Sequence, residues 1–201
     1  QFTMGDRIQI TTDANTEQRV YAGDKIAFGA TYTTPSGEAG EVLWHVADAA
    51  GGEQMDAAIS SDGVLTVPDQ AKGKLLKIFA ASADGSIVSN EIILHVSVNA
   101  AGTAGAEEPF TAYAGISNGN LGLCVSNNAQ GKKVRAVWTA YDDDGGMADV
   151  TEQVIELGAN EYRRISMPAA WDTGAYSSCV FLWDADTMAP LLPKMEVAKN
   201  R

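Results

Sequence analysis

The stretch Asn90–Val98, NEIILHVSV, shows the pattern that decides the fold. Its aliphatic side chains recur at every second position, at Ile92, Leu94, Val96 and Val98. Successive side chains of an extended strand point to opposite faces, so these four share one face, and Ile93, His95 and Ser97 share the other. The period of two therefore predicts a half-buried β-strand with His95 on its solvent side.

Similar short runs recur along the chain, separated by Gly, Asn, Asp and Pro. In the first half they are KIAFGATYT (25–33), EVLWHVAD (41–48), GVLTVPD (63–69) and LLKIFAAS (75–82). In the second half they are FTAYAGIS (110–117), LGLCVSN (121–127), KKVRAVWTAYD (132–142), TEQVIEL (151–157), EYRRISMP (161–168), SSCVFLWD (177–184) and PKMEVAK (193–199). The segment 147–157 also has helical spacing at Val150, Val154 and Leu157, but its alternation and β-branched residues favour a strand.

Residues 99–109, NAAGTAGAEEP, separate the two halves. Small residues, two Glu and a Pro cannot fill a core, so this segment is predicted to be a linker. Each half holds about seven short strands in about ninety residues, the usual size of an immunoglobulin-like sandwich. The sequence thus predicts an all-β fold of two tandem immunoglobulin-like β-sandwiches, at residues 1–98 and 110–201.

The chain is acidic, because 26 Asp and Glu against 14 Lys and Arg give its 201 residues a formal net charge of −12. Such a surface repels phosphate backbones and anionic lipid, so nucleic acid is not an expected partner. No run of about 18 apolar residues is present, so no membrane insertion is expected. The expected partners are neighbouring domains of a larger chain, with a cell-surface protein or a glycan as further candidates.

The first half, about residues 8 to 98, contains a Trp strand, VLWHV, then ISSDGVLTVPDQAKG, and closes with IILHVSV. This order resembles the bacterial immunoglobulin-like domains of invasin- and intimin-type surface proteins. That family has a Trp followed by Asp-Gly-x-Leu/Val-Thr, and the matching residues are Trp44, Asp62, Gly63, Leu65 and Thr66. The resemblance agrees with a Trp that covers the middle of a thin sandwich and an Asp-Gly pair that makes a tight turn.

The second half contains LGLCVSNNAQGKKVRAVWTAYDDDGGM, VIELGANEYRRISMP and, at Val180–Pro193, VFLWDADTMAPLLP. These segments resemble a fibronectin-III-like module of Gram-positive surface or secreted proteins. The resemblance implies an accessory or spacer module, extracellular or on the cell surface, and it carries no catalytic residue. Val180 and Leu182 are predicted to face the core, and Trp183 marks the strand end.

Catalysis is not expected. The two histidines, His45 and His95, lie in the middle of strands, and both are predicted to point outward. No Gly-x-Ser-x-Gly elbow or Cys-x-x-Cys pair accompanies them, so no nucleophile is placed beside a base. The carboxylates cluster in short turns and do not flank a cleft with aromatic rings. The chain is therefore predicted not to be an enzyme and to need no cofactor.

Cys124 and Cys179 are the only cysteines. Alternation places each opposite the aliphatic face of its strand, so both thiols are predicted to point away from the core. A disulfide requires that the two strands be neighbours in one sheet, with Cα atoms within about 7 Å. Two unpaired thiols are the alternative, and the sequence leaves both open.

The acidic run Asp142–Asp144 precedes two glycines. Oxygen ligands in an acidic loop suit calcium, but the spacing lacks the EF-hand pattern and its distal Glu. A hairpin turn is the favoured interpretation, and no metal is predicted.

The candidate ligand-binding residues are Trp171 and Tyr176, in the loop segment PAAWDTGAYSS. Aromatic rings of this kind stack on sugar faces when they are exposed. Trp44 and Trp138 share strand faces with apolar residues and are predicted to be core. Packing of Trp171 over the open end of the sandwich is the structural alternative.

The expected function is a non-catalytic one: structural, spacer or adhesion modules of a larger extracellular or cell-surface bacterial protein. The alternative is a carbohydrate-binding accessory module of a glycan-degrading enzyme, with Trp171 as the stacking residue.

Overall fold

The computed structural model describes residues 5–34, 40–101, 110–117, 120–127, 130–159, 161–168 and 177–198. The chain divides into two compact units, Gln1–Ala106 and Glu107–Arg201, and this division falls inside the segment 99–109. The described residues form thirteen β-strands and two short 3-10 turns, so the all-β prediction is confirmed. None of the helical turns in the described part of the chain has the length and apolar character needed to cross a membrane.

The first unit contains six of the described strands. They are β1 (Arg7–Thr12), β2 (Lys25–Thr33), β3 (Val42–Asp48), β4 (Val64–Thr66), β5 (Leu75–Ser82) and β6 (Ile92–His95), with 3-10 turns at Asp56–Ala58 and Asp69–Ala71. One sheet has the order β1-β2-β4 and the other β3-β5-β6. All the strand pairs within these sheets are antiparallel.

One buried cluster joins the two sheets of the first unit. The first sheet contributes Ile8, Ile10, Ile26, Phe28 and Leu65, and the second contributes Val46, Leu76, Ile78, Ile92 and Leu94. These side chains recur at alternate positions, as expected of strands that bury one face against a facing sheet. The unit is therefore a two-layered β structure with its own core.

The prediction that β6 is half-buried is wrong, because both of its faces are enclosed. Ile93 is buried and His95 is 0% exposed, although both lie opposite the face that enters the core cluster. The segment before β2 runs alongside β6, where Arg19 Nε donates to His95 Nδ1 over 3.2 Å. A side chain distant in sequence thus contacts His95 on the face that alternation assigns to solvent.

The same segment pairs with the end of β6 in a parallel direction, through a bridge between Val20 and Val96. The Val20 N–H donates to the His95 carbonyl over 2.8 Å, and the Ser97 N–H donates to the Val20 carbonyl over 2.9 Å. The chain therefore runs in the same direction at Val20, between β1 and β2, as at Val96, directly after β6.

The Asp62-Gly63 turn lies directly against the Trp strand. Gly63 has a φ of 82° and its carbonyl accepts the Phe28 N–H over 2.9 Å. A Cβ at Gly63 would stand 2.6 Å from the Phe28 carbonyl oxygen and 2.9 Å from Trp44 Cζ2. Trp44 itself is partly buried and packs against the core cluster, which agrees with its prediction as a core residue. Only glycine combines this backbone conformation with so close an approach.

The second unit contains the other seven described strands. They are β7 (Thr111–Ser117), β8 (Asn120–Ser126), β9 (Lys132–Tyr141), β10 (Met147–Leu157), β11 (Tyr162–Pro168), β12 (Ser177–Asp184) and β13 (Met195–Ala198). One sheet has the order β11-β8-β7 and the other β10-β9-β12-β13. The strand prediction for residues 147–157 is confirmed by β10.

A second buried cluster joins these two sheets. Its members include Ala112, Leu123, Val125, Val134, Ala136, Trp138, Ile155, Val180, Leu182 and Val197. The core positions predicted for Val180, Leu182 and Trp138 are confirmed. Each unit is thus a β-sandwich in the general sense of two sheets packed on a shared apolar interior.

Candidate functional site

The outer face of β12 carries two aromatic rings. Val180 and Leu182 enter the core, so alternation turns Phe181 and Trp183 to the opposite side of the sheet. Both rings are partly exposed, with centroids 6.0 Å apart and planes inclined at 41°. The strand therefore fills the core with one face and presents a pair of adjacent rings on the other.

Strand register extends this pair into two rows across three strands. Trp183 of β12 lies opposite Arg135 of β9, which lies opposite Val154 of β10. Phe181 lies opposite Val137, which lies opposite Glu152. We call these six residues the outer-face cluster: Arg135, Val137, Glu152, Val154, Phe181 and Trp183.

An ion pair crosses the two rows of the outer-face cluster. Arg135 Nη1 donates to both carboxylate oxygens of Glu152, over 2.9 and 2.8 Å. The Arg135 Nε is enclosed and has no hydrogen-bond partner. The cluster thus combines apolar rings with a fixed cation and anion, a combination that suits binding of a flat, hydroxyl-bearing or amphipathic ligand.

The turn after β12 holds Trp183 from one side. Asp184 Oδ1 accepts the N–H groups of Asp186 and Thr187 over 3.1 and 2.9 Å, and the Thr187 hydroxyl over 3.0 Å. These bonds, those from Thr187 first, hold the pKa of Asp184 below its usual value. Trp183 also forms a bridge to Pro190 across this turn. The acidic turn is therefore structural, and it fixes the end of the strand that carries the ring.

The predicted ligand-binding residues, Trp171 and Tyr176, lie outside the described residues. Their assignment stays a prediction. Sequence reasoning did not select Phe181, Arg135 or Glu152, because their proximity depends on the register of three strands and not on spacing along the chain. The alternation in SSCVFLWD did contain a signal, since it places Phe181 and Trp183 on one face.

The prediction of two outward-facing, exposed strand histidines is wrong for His95 and only partly right for His45. His95 is buried, and its burial, with the nearby charge of Arg19, lowers its pKa to about 3. His45 is partly buried, since its ring stacks on Phe79 with centroids 4.9 Å apart and its Nδ1 lies 3.0 Å from Asp56 Oδ2. Both rings are engaged in packing and hydrogen bonds.

The two cysteines form no disulfide, and both are buried. Cys124 lies in β8 and Cys179 in β12, which belong to different sheets, so the condition for a bond is not met. Neither residue belongs to the core cluster, in agreement with the predicted strand faces. Both thiols are nevertheless buried, so other residues cover the outer faces of β8 and β12 at these two positions. Alternation alone does not predict this covering.

The Asp142–Gly146 segment is a hairpin turn between β9 and β10. Asp142 Oδ1 accepts the Gly146 N–H over 2.6 Å, and the Asp142 N–H donates to the Gly146 carbonyl over 2.9 Å. Gly145 adopts a φ of 79°, which suits this tight reversal. Within the described ranges, no three His, Cys, Asp or Glu side chains come together as a metal site would need.

No protein-family model matches the chain, and no curated protein matches it. Among solved structures, the chain is similar to a DUF4785 family protein from Legionella pneumophila subsp. pneumophila str. Philadelphia 1, with 11% identity, 94% of this chain and 54% of that chain covered, and a TM-score of 0.29. It is also similar to a Parabacteroides merdae beta-glucuronidase, with 9% identity, 96% of this chain and 24% of that chain covered, and a TM-score of 0.32. The chain spans about half the length of the first protein and a quarter of the second.

Proposed function

We propose that the chain is a pair of immunoglobulin-like modules, the first of the bacterial Ig-like type and the second fibronectin-III-like. Strand order supports this proposal. In the first unit, the first, second and fourth strands form one sheet, and the third, fifth and sixth form the other. Immunoglobulin-type sandwiches divide their strands in this way, and some add a strand beside the third, as β10 lies beside β9 in the second unit.

The proposed role of these modules is to space and present neighbouring domains, or to mediate adhesion, in a larger extracellular or cell-surface bacterial protein, without catalysis. The parallel bridge between Val20 and Val96 carries this proposal. Because the chain runs in the same direction at Val20 and at Val96, a pull on the two sides of this bridge loads it in shear, which suits a module that carries tension between its neighbours.

Mechanical unfolding of the full chain tests the spacing role. Tension along the chain loads the bonds of Val20 to His95 and Ser97 in shear, so they must break together. In single-molecule force spectroscopy we expect two unfolding events, one of which falls to a lower force in Val20→Pro, which lacks the donor N–H. Val20→Ala is the matched control, because it trims the side chain and keeps the N–H. A chain that opens without a resolvable force peak would contradict the proposal.

Carbohydrate binding is the second candidate, and the outer-face cluster is the observation that favours it. Phe181 and Trp183 offer adjacent, partly exposed rings beside the Arg135–Glu152 pair. If the chain is a carbohydrate-binding module, a glycan array should give binding that Trp183→Ala reduces by about tenfold or more, the order expected for a stacking ring at a binding centre. Loss of binding in Trp171→Ala alone would assign the site to the predicted loop instead. Absence of binding to every glycan leaves the spacing and adhesion role.

A further inference from the structure

β10 is the longest of the described strands, and no other described strand pairs with its outer edge. It contains 11 residues and lies at one end of the sheet β10-β9-β12-β13. Its first eight residues, Met147 to Val154, are all exposed. An edge of this kind presents backbone N–H and carbonyl groups that a further strand can pair with.

We propose that the occupant of this edge is β10 of a second copy of the chain, paired antiparallel about Glu152. In that register Val150 lies opposite Val154 of the second copy, and by symmetry the same contact forms twice. Both valines share the outer face of the sheet with Glu152, and they are 55% and 48% exposed. Directly opposed β-branched pairs are a stabilising element of antiparallel sheets.

Neighbouring registers lack this match. Two residues that lie directly opposite each other must point to the same face of the sheet. The residue about which the two copies of β10 pair can therefore move along the strand in steps of one residue. A centre at Thr151 places Val150 opposite Glu152, and a centre at Gln153 places Val154 opposite Glu152. Of these three registers, only the one centred on Glu152 pairs valine with valine.

Charge compensation within each copy permits the same register. Two Glu152 side chains would face each other at the centre, and like charges directly opposite destabilise a sheet. Each is already bound to Arg135 of its own β9, over 2.9 and 2.8 Å. Glu156 is likewise paired with Lys133 at 3.4 Å. Glu152 and Glu156 of each copy therefore meet the other copy as compensated pairs, while the Asp149 carboxylate is bound to a backbone N–H.

The bulge at the start of β10 limits the length of the pairing. The register to β9 shifts between Met147 and Asp149, and Asp149 Oδ1 accepts the Val150 N–H over 2.8 Å. Pairing about Glu152 thus spans at most residues 149–155, and within that range the Val150 N–H is already bonded to Asp149 of its own copy. Such a short ladder makes a weak association, so a reversible dimer at high protein concentration is the expected form.

Sedimentation equilibrium of the full chain tests the association. We expect a concentration-dependent monomer–dimer equilibrium, with Val150→Lys and Val154→Lys each raising the dissociation constant by about tenfold. Val88→Lys is the matched control, since Val88 is 56% exposed in the first unit and the substitution makes the same charge change. Circular dichroism melting checks that each variant is folded. A wild-type chain that stays monomeric, or a dimer that the two β10 variants leave intact, would overturn the proposal.

Cross-linking tests the register. Val150→Cys and Val154→Cys should be joined by a short thiol-reactive cross-linker when the two variants are mixed, and neither should be joined to itself. Wild type is the control for the buried Cys124 and Cys179. Cross-linking of Val150→Cys alone would overturn the register, and binding of an extended peptide to a monomeric chain would replace the second copy as occupant.

Removal of the Arg135 charge tests the compensation at Glu152. Arg135→Gln should weaken the dimer, and added salt should restore part of the association, because it screens the two uncompensated Glu152 carboxylates. An Arg135→Gln dimer as tight as wild type at low salt would show that compensation at Glu152 plays no part in the interface.

Discussion

Substitution of Gly63 by alanine is expected to lower the free energy of unfolding of the first unit by about 3 kcal/mol. Two costs add at this position. The φ of 82° is unfavourable for any residue with a Cβ, and the new methyl group would lie 2.6 Å from the Phe28 carbonyl oxygen. Relief would require Trp44 and the β2 backbone to move, and both pack against the core cluster. Calorimetry of the full chain would record this as a lower melting temperature of one transition.

Gly85→Ala separates the two costs. Gly85 has a φ of 71°, but a Cβ there meets nothing within 4 Å. Its substitution should therefore cost about 1 kcal/mol, the conformational part alone. Equal losses in the two variants would contradict a steric role for the contact with Trp44. The contact also gives a physical reason for Asp-Gly after a Trp strand, since the turn must pass close beneath the ring.

Much of the fold can be predicted, because strands follow from the alternation of apolar residues and end at the Gly, Asn, Asp and Pro residues between them. Three predicted runs, KIAFGATYT, LLKIFAAS and SSCVFLWD, coincide with β2, β5 and β12 to the residue. Alternation also placed Val180 and Leu182 in the core. The first strand, β1, was not among the runs singled out, because RIQITT contains only two apolar residues.

Coverage of the outer faces was not predictable from alternation. A period of two says which residues share a face, but not whether another segment lies over it. Arg19 contacts His95 from 76 positions away in the sequence, and no local pattern reports such a contact. The outer-face cluster has the same character: Arg135 and Glu152 are 17 positions apart and meet through register. The alternation of apolar residues therefore predicts the strands, whereas contacts between residues distant in sequence determine which side chains form the outer-face cluster.

The burial of His95 leads to the second large effect, a loss of stability in mild acid. Burial, reinforced by the charge of Arg19, lowers the pKa of His95 to about 3, against 6.5 for an ordinary histidine. Between these values the unfolded chain binds a proton that the folded chain does not bind. The free energy of unfolding is therefore unaffected by proton binding at His95 above pH 6.5, and it decreases as the pH falls from 6.5 towards 3. Each pH unit within that window costs up to about 1.4 kcal/mol, so we expect a loss of about 2 kcal/mol between pH 7 and pH 5.

The pH window separates His95 from the carboxylates. The pKa of Asp84 is lowered to about 2, first by its bond from the Ser82 hydroxyl, and an ordinary Asp titrates at 3.8. Its contribution is lost as the pH falls below 3.8 towards 2, well under the window for His95. Urea unfolding at pH 7, 6 and 5 would therefore isolate the histidine.

His95→Gln should flatten the dependence of stability on pH, because glutamine keeps an acceptor for Arg19 and binds no proton at these pH values. His45→Gln is the matched control: it also removes a histidine from the first unit, and the slope due to His95 should persist. The stability of His95→Gln at pH 7 is not the deciding quantity, since the new side chain changes the packing of a buried site. The difference in slope between the two variants decides the matter. If both retain the slope of wild type, proton uptake at His95 is not what destabilises the first unit in acid.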